Sequence, residues 1–148
     1  MNAAAATRAD GVPAWFRIAA ILALLWELFG VAMYLMHVGV LPSDPGQMSE
    51  AERSLMESSP VWVTALFATG VFAGALGALG LVLRRRWARP VLILSLVAVV
   101  LQFGGWLLFT DAIAIIGPTV VLMPLVIVAV AILLVWLAGT AAGRGWLR

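Results

Sequence analysis

Four long and almost uncharged runs of apolar residues constrain this chain more than any other feature. A helix needs ~20 apolar residues to cross the hydrocarbon core of a bilayer, and 148 residues hold four such runs. Only 11% of the residues are charged and 64% are apolar, whereas a soluble domain is typically ~25% charged and ~45–50% apolar. The sequence therefore predicts an all-α, four-transmembrane-helix bundle that forms a single membrane domain over residues 1–148. The predicted spans are residues 18–36, 61–83, 90–109 and 118–138.

The fourth apolar run, residues 112–142, is longer than one span and contains a natural break. Gly117 and Pro118 stand where one helix can end and another can start. We therefore predict that the fourth span begins at Pro118 and that residues 111–117 form a turn at the membrane surface. Pro124 is predicted to kink the span, because a proline inside a helix removes a backbone hydrogen bond.

Arginines and acidic residues lie at opposite ends of the predicted spans. One set of ends has a single acid, Asp10, and carries Arg8, Arg17, Arg84, Arg85, Arg86, Arg89, Arg144 and Arg148. The other set has a single basic residue, Arg53, and carries Asp44, Glu50, Glu52, Glu57 and Asp111. Because positively charged loops stay in the cytoplasm, both termini and the hairpin at residues 84–89 are predicted to be cytoplasmic. We interpret the arginines of this hairpin as a topology anchor, with contact to anionic lipid as the alternative.

The longest segment between predicted spans is residues 38–59, which the charge pattern places outside. Ser49 is followed three residues later by Glu52, which is the spacing of a capping box at a helix start. Met48, Ala51 and Leu55 would share one face of such a helix. The sequence therefore predicts a short amphipathic helix that lies on the outer membrane surface or over the mouth of the bundle.

Small residues mark one face of the second span. Gly70, Gly74 and Gly77 share this face, and Gly80 lies close to it. A face without side chains lets another helix approach closely. We expect the glycine face to pack against the third span of the same chain, and a contact between two copies of the chain is the alternative.

Glu27 is the most informative residue, because it is an acid at the midpoint of a predicted span, where a charge is most costly. In the third span Ser95, Ala98, Gln102 and Gly105 form one stripe, which must face protein because hydrocarbon offers a glutamine amide no hydrogen-bond partner. We expect Glu27 and Gln102 to lie at similar depth. One interpretation is a structural, protonated glutamate that is hydrogen-bonded to Gln102 or Ser95, since burial disfavours the charged form. The alternative is a binding or proton-handling site.

Three further polar residues lie toward the outer ends of the spans. Tyr34 is expected to anchor its helix at the interface or to pack in the core. His37 and Asp111 are expected to be solvated interfacial groups. A gating pair above Glu27 is the alternative, because an imidazole titrates near neutral pH.

Three motifs lie in the loop, in the second span with its hairpin, and at the start of the fourth span. They are SEAERSLMESSPVW (residues 49–62), GVFAGALGALGLVLRRRWARP (residues 70–90) and IGPTVVLMP (residues 116–124). With them the chain resembles, from Leu25 on, small four-span bacterial inner-membrane proteins of uncharacterised function that are often labelled sugar transporters. The resemblance implies a location in a bacterial inner membrane and assigns no chemistry to any residue.

Composition disfavours several classes of function. With no cysteine and one histidine, the chain lacks the ligands of a thiolate or multi-histidine metal site, and no nucleophile is paired with a base. We therefore expect neither an enzyme nor a cofactor. Arginines at the ends of apolar runs are unlike a nucleic-acid-binding surface, so the expected partner is the lipid bilayer.

Two functional hypotheses remain. We favour a non-enzymatic accessory module that packs its helices against a second copy of the chain or against a larger membrane complex. The alternative is a small carrier or channel that moves a small polar solute or protons past Glu27 and Gln102.

Overall fold

The computed structural model describes residues 11–44, 46 and 48–148 and contains no strand among them. Four of its helical segments are long and apolar enough to cross a membrane. The predicted all-α bundle of four spanning helices is confirmed, and the chain is a multi-pass membrane protein. Arg8 and Asp10, which entered the predicted orientation, lie outside the described residues. The helices are α1 (Ala14–His37), α2 (Glu50–Ser58), α3 (Val61–Val82), α4 (Ala88–Phe109), α5 (Ala112–Ile116) and α6 (Leu122–Gly143), with a 3-10 helix (Pro118–Val121) directly before α6.

The first spanning helix begins earlier than predicted, at Ala14 instead of residue 18. Its first turn contains Phe16, which is only 1% exposed and packs on Trp146 with 5.4 Å between the ring centroids. Complete burial of a phenylalanine side chain contributes roughly 1.5–3 kcal/mol. This packing holds the first turn in the helix, although Arg17 looks like a boundary in the sequence.

The start of the fourth span also differs from the prediction. Residues 112–116 form the short helix α5, where the sequence indicated a turn, and the 3-10 helix then precedes α6. Pro124 is the third residue of α6, within the first turn, where the missing N–H has no helical partner to lose. The 3-10 helix changes to α-helix directly before the proline, and the kink at Pro124 stays a prediction.

The spanning helices pack in the order α1, α3, α4, α6. Successive spans run in opposite directions, so the starts of α1 and α4 meet the ends of α3 and α6 at one end of the bundle. We call this the arginine-rich end, because it carries Arg17, the hairpin arginines and the C-terminal arginines. The opposite end, which we call the acidic end, carries α2, α5 and Asp111.

The half of the bundle next to the arginine-rich end is filled by one apolar core. Many of the core residues are alanines, so the helices approach closely and leave little space between them. These alanines are Ala20, Ala23, Ala78, Ala88, Ala138 and Ala141.

The C-terminal tail covers the arginine-rich end of the core. Leu147 is 2% exposed, and the tail is hydrogen-bonded to the hairpin between α3 and α4. The Arg84 Nε donates to the Trp146 carbonyl at 3.0 Å, and the Arg148 N–H donates to the Arg84 carbonyl at 2.6 Å. The tail therefore closes the bundle at this end.

The predicted amphipathic helix is present as α2. The Glu52 N–H donates to Ser49 Oγ at 3.2 Å, and the Ser49 N–H donates to Glu52 Oε2 at 2.8 Å, which completes the capping box. Leu55 is 4% exposed, and α2 contacts α5. Of the two predicted placements, α2 adopts the one over the mouth of the bundle.

Candidate functional site

The side chain of Glu27 lies directly against the glycine face of α3. A Cβ atom added to Gly74 would overlap Glu27 Oε2, and it would lie 2.7 Å from Glu27 Cδ and 3.1 Å from Ser95 Oγ. The carboxyl group fits there only because Gly74 has no side chain. Gly74 thus makes room for an acidic side chain from α1, which the glycine pattern alone did not indicate.

The other glycines of this face pack against α4 within the chain. Added Cβ atoms on Gly70, Gly77 and Gly80 would lie 2.9 Å from Val99 Cγ2, 2.5 Å from Leu92 Cγ and 2.9 Å from Ala88 Cβ, respectively. All four glycines of the face are buried. The structure therefore places the glycine face inside the chain, as in the first of the two predicted arrangements.

Ser95, and not Gln102, lies at the level of Glu27. Gln102 is seven residues farther along α4, which is ~10 Å toward the acidic end at 1.5 Å per residue. The expected similar depth of Glu27 and Gln102 is not observed, because Glu27 packs at the level of Gly74 and Ser95. Ser95 Oγ donates to the Gly70 carbonyl at 2.7 Å. Within the described part of the chain, neither Ser95 nor Gln102 is hydrogen-bonded to the Glu27 carboxyl.

Glu27, Ser95 and Gln102 line one cavity in the middle of the bundle, which we call the central cavity. Its volume is about 320 Å³, and its walls come from α1, α3, α4 and α6. Apart from these three polar side chains, the wall is apolar and rich in aromatic rings and methionines. These apolar residues include Trp26, Phe29, Met33, Phe67, Phe103 and Met123.

A second cavity, which we call the entrance cavity, lies between α2 and the bundle at the acidic end. Its volume is about 380 Å³, and α2 contributes Glu52 and Leu55 to its wall. Phe67, Gln102 and Phe103 line both cavities. The two cavities therefore adjoin at these three side chains, and together they extend from α2 to Glu27.

Phe67 stands at this junction and is held by two of the predicted site residues. The Tyr34 ring packs edge-on against Phe67 with centroids 5.3 Å apart, and the His37 ring does so at 5.6 Å. His37 also lines the entrance cavity. Tyr34 and His37 thus position an aromatic ring between the cavities and do not lie beside Glu27.

Asp111 does not belong to this arrangement. It is exposed, it precedes α5, and it lines neither cavity. No ion pair joins Asp111 to His37 among the residues that the structure describes. The alternative of a gating pair above Glu27 therefore gains no support, and Asp111 is placed as a surface residue.

The charges around the cavities are strongly asymmetric. Arg17 precedes Glu27 by ten residues, or ~15 Å along α1, and Arg89 precedes Ser95 by six residues, or ~9 Å along α4. At the other end Glu52 lines the entrance cavity, and hydrogen bonds from the Ser49 N–H and hydroxyl hold the pKa of Glu52 below its usual range. The entrance cavity therefore has the Glu52 carboxylate in its wall, whereas Arg17 and Arg89 lie on the side of Glu27 that faces the arginine-rich end.

The hairpin arginines lie away from both cavities. Arg85, Arg86 and Arg89 are exposed, whereas Arg84 is half-buried because it hydrogen-bonds the C-terminal tail. A Cβ atom on Gly139 of α6 would lie 3.9 Å from Arg89 Nε. This placement is compatible with either role predicted for the cluster.

Sequence reasoning missed the aromatic residues that separate and line the cavities. Phe67 and Phe103 follow ordinary helical spacing and look like core residues in the sequence. Trp26 carried the clearest signal, since it lies next to Glu27 in the middle of a span, whereas membrane tryptophans usually lie at the interfaces. A tryptophan beside a buried acid could have indicated a cavity wall.

Comparison of this chain with protein-family models, with curated proteins and with solved structures found no match. The chemistry of the cavities therefore follows from the residues that line them.

Proposed function

We propose that this chain is a small membrane carrier or channel that admits a small polar solute or protons to Glu27 from the acidic end. The supporting observation is that two adjoining cavities lead from α2 to Glu27, while the apolar core lies in the other half of the bundle. A structural glutamate would need a fixed hydrogen-bond partner, and the described residues give the Glu27 carboxyl none. An ionisable residue in a membrane-embedded cavity is characteristic of ion and proton pathways.

We also propose a location in a bacterial inner membrane with both termini in the cytoplasm, so that the cavities open to the outside. The support is the arginine distribution, together with the resemblance noted for residues 49–124. Reporter fusions at residue 46, at residue 87 and at the C-terminus should report outside, inside and inside, respectively. A cytoplasmic residue 46 would contradict this orientation.

Transport is tested with the full chain reconstituted in liposomes that contain a pH-sensitive dye. After a membrane potential is imposed, wild type should acidify or alkalise the lumen faster than empty liposomes, and Glu27→Gln should not. Glutamine has nearly the same shape but does not titrate. Glu57→Gln is the matched control, because Glu57 is an exposed acid on α2 that lines neither cavity. Equal proton flux through wild type and Glu27→Gln would exclude proton handling by Glu27.

The second candidate function is the non-enzymatic accessory module. One observation favours it, namely an apolar groove of about 410 Å³ between α1 and α6, lined by Trp15, Trp26 and Trp136. Because Trp136 is 59% exposed, a helix from another protein could cover it. Mass measurement of the intact species in mild detergent tests this candidate, since a complex with another protein supports the module and a lone monomer contradicts it.

A further inference from the structure

The wall of the central cavity suits a particular class of ligand. It combines one carboxyl group, one hydroxyl and one amide with a surface of aromatic rings and methionines. A sugar carries several hydroxyl groups, each of which loses water on binding and needs a partner. Three polar side chains, of which Ser95 already donates to the Gly70 carbonyl, do not supply enough partners. The wall instead favours a ligand with an apolar body and few hydrogen-bonding groups.

The titratable side chains around the cavity determine the sign of the charge that the ligand should carry. Neither α3 nor α6 contains an acidic, basic or histidine residue, and α4 contributes only Arg89, which reaches toward Gly139 at the arginine-rich end. On α1 itself the other titratable side chains are Arg17, Tyr34 and His37, and none of them lines the central cavity. No ion pair to Glu27 is present in the part of the chain that the structure describes. An ionised Glu27 therefore lacks a fixed counter-ion, which a cationic ligand would provide.

The aromatic wall also favours a positively charged ligand. The faces of tryptophan and phenylalanine rings carry negative electrostatic potential and attract cations, and the attraction grows when water is excluded. Trp26, Phe67 and Phe103 all line the cavity that contains Glu27. Such a wall stabilises a delocalised organic cation better than a small, strongly hydrated ion, because the organic cation has less hydration to lose.

The cavity is also open toward the lipid. Its wall includes Phe29 and Met33 of α1 and Met123 of α6, all of which are exposed on the surface of the bundle. α1 packs on α3 and α6 packs on α4, so the opening lies between α1 and α6. A ligand dissolved in the membrane can therefore reach Glu27 from the side without passing the Phe67 junction.

We propose that the central cavity binds lipophilic organic cations, with the Glu27 carboxylate as counter-ion and the aromatic rings as the apolar wall. This inference rests on the proposed function, because it keeps Glu27 as the residue that meets the transported species, and it replaces the small polar solute of that proposal by an organic cation with an apolar body. Protonation of Glu27 competes with the cation, so binding should weaken as the pH is lowered. In the Glu27→Gln variant the pH dependence should disappear.

The test compares two probe ions of the same shape and opposite charge, tetraphenylphosphonium and tetraphenylborate, each added in a separate sample to the full chain in nanodiscs. Binding is followed by quenching of tryptophan fluorescence. We expect saturable binding of the phosphonium that is at least about tenfold weaker in Glu27→Gln, as loss of a charged partner worth ~1.4 kcal/mol or more predicts. Glu57→Gln should bind like wild type, and the borate should not saturate.

Each outcome decides between the proposals. Equal binding of both ions to wild type would overturn the inference. This comparison uses no variant, so it does not depend on whether a variant folds. So would equal phosphonium binding to wild type and Glu27→Gln. Phosphonium binding without proton or phosphonium flux in liposomes would uphold this site and contradict the proposed transport. Glu27-dependent proton flux without phosphonium binding would uphold the transport and refute the class of ligand.

Discussion

Two alanine substitutions on the same face of α3, one turn apart, should separate the role of Glu27 from the packing of the bundle. In Gly74→Ala the new methyl group meets the end of the flexible Glu27 side chain, with Cδ only 2.7 Å away. In Gly77→Ala the methyl group meets the branch carbon of Leu92 at 2.5 Å and its backbone nitrogen at 3.3 Å. The glutamate can rotate away from its obstacle. The leucine cannot, because its branch point and its helix are both in the way.

The magnitudes follow from these contacts. An alanine in place of a helical glycine gains up to ~1 kcal/mol, and forcing a side chain away from its preferred rotamer costs ~0.5–1.5 kcal/mol. The two terms nearly cancel for Gly74→Ala. Overpacking against a backbone costs ~1–3 kcal/mol, so Gly77→Ala should lose up to ~2 kcal/mol of stability after the helical gain is subtracted.

The assay pairs stability with function. Reversible unfolding in mixed micelles, followed by tryptophan fluorescence, should place Gly74→Ala near wild type and Gly77→Ala below it. Flux in liposomes, measured per folded protein, should show the opposite order, with Gly77→Ala near wild type and Gly74→Ala below it. The reason is that only Gly74→Ala moves the carboxyl group of Glu27 out of its position. If Gly74→Ala retains full Glu27-dependent flux, or if it is the less stable of the two variants, the proposed role of Gly74 is wrong.

Two further predictions concern the acidic end. Gly105→Ala should destabilise the bundle by ~1–3 kcal/mol, because an added Cβ would overlap Trp62 Cη2 and lie 2.5 Å from its Cζ3. Gly104→Ala meets nothing within 4 Å and should be neutral in thermal unfolding. The capping box should stabilise α2 at pH values above the usual carboxyl pKa and lose this effect as the pH falls through the lowered pKa of Glu52. Hydrogen-exchange protection of α2 should therefore decrease on acidification in wild type, and Ser49→Ala, which lacks the hydroxyl hydrogen bonds, should respond less. A pH-independent α2 in wild type would show that the box does not hold the helix.

Much of the fold is predictable from the sequence because the thickness of the bilayer fixes the length of each span. The predicted and observed ends of the second and third spans agree within two residues. The start of the first span is predicted less well, because it depends on the contact between Phe16 and Trp146. These two residues are 130 positions apart in the sequence. Hydropathy contains no information about such a contact.

The candidate site was only partly predictable for a related reason. The pattern of α4 correctly indicates its buried stripe, since Ser95, Ala98, Gln102 and Gly105 are all buried. It does not indicate how far α4 is shifted along the bundle axis relative to α1. A shift of a few residues changes which polar group lies opposite Glu27, and this shift is set by packing between helices that are distant in sequence.

The position of the cavities nevertheless has a cause that is visible in the sequence. In α3 the glycines at 74, 77 and 80 lie in the half that faces the arginine-rich end and Gly70 lies near the middle, whereas Trp62 and Phe67 lie in the other half. α4 repeats this order in reverse, with Ala88 near its start and Phe103 and Trp106 near its end. Small side chains let the helices approach closely toward the arginine-rich end, and Phe67 and Phe103 line the cavities nearer the acidic end. Because Glu27 lies where the small residues give way to the large ones, it stands at the inner end of the central cavity, where its carboxyl group can meet a ligand that enters from the acidic end or between α1 and α6.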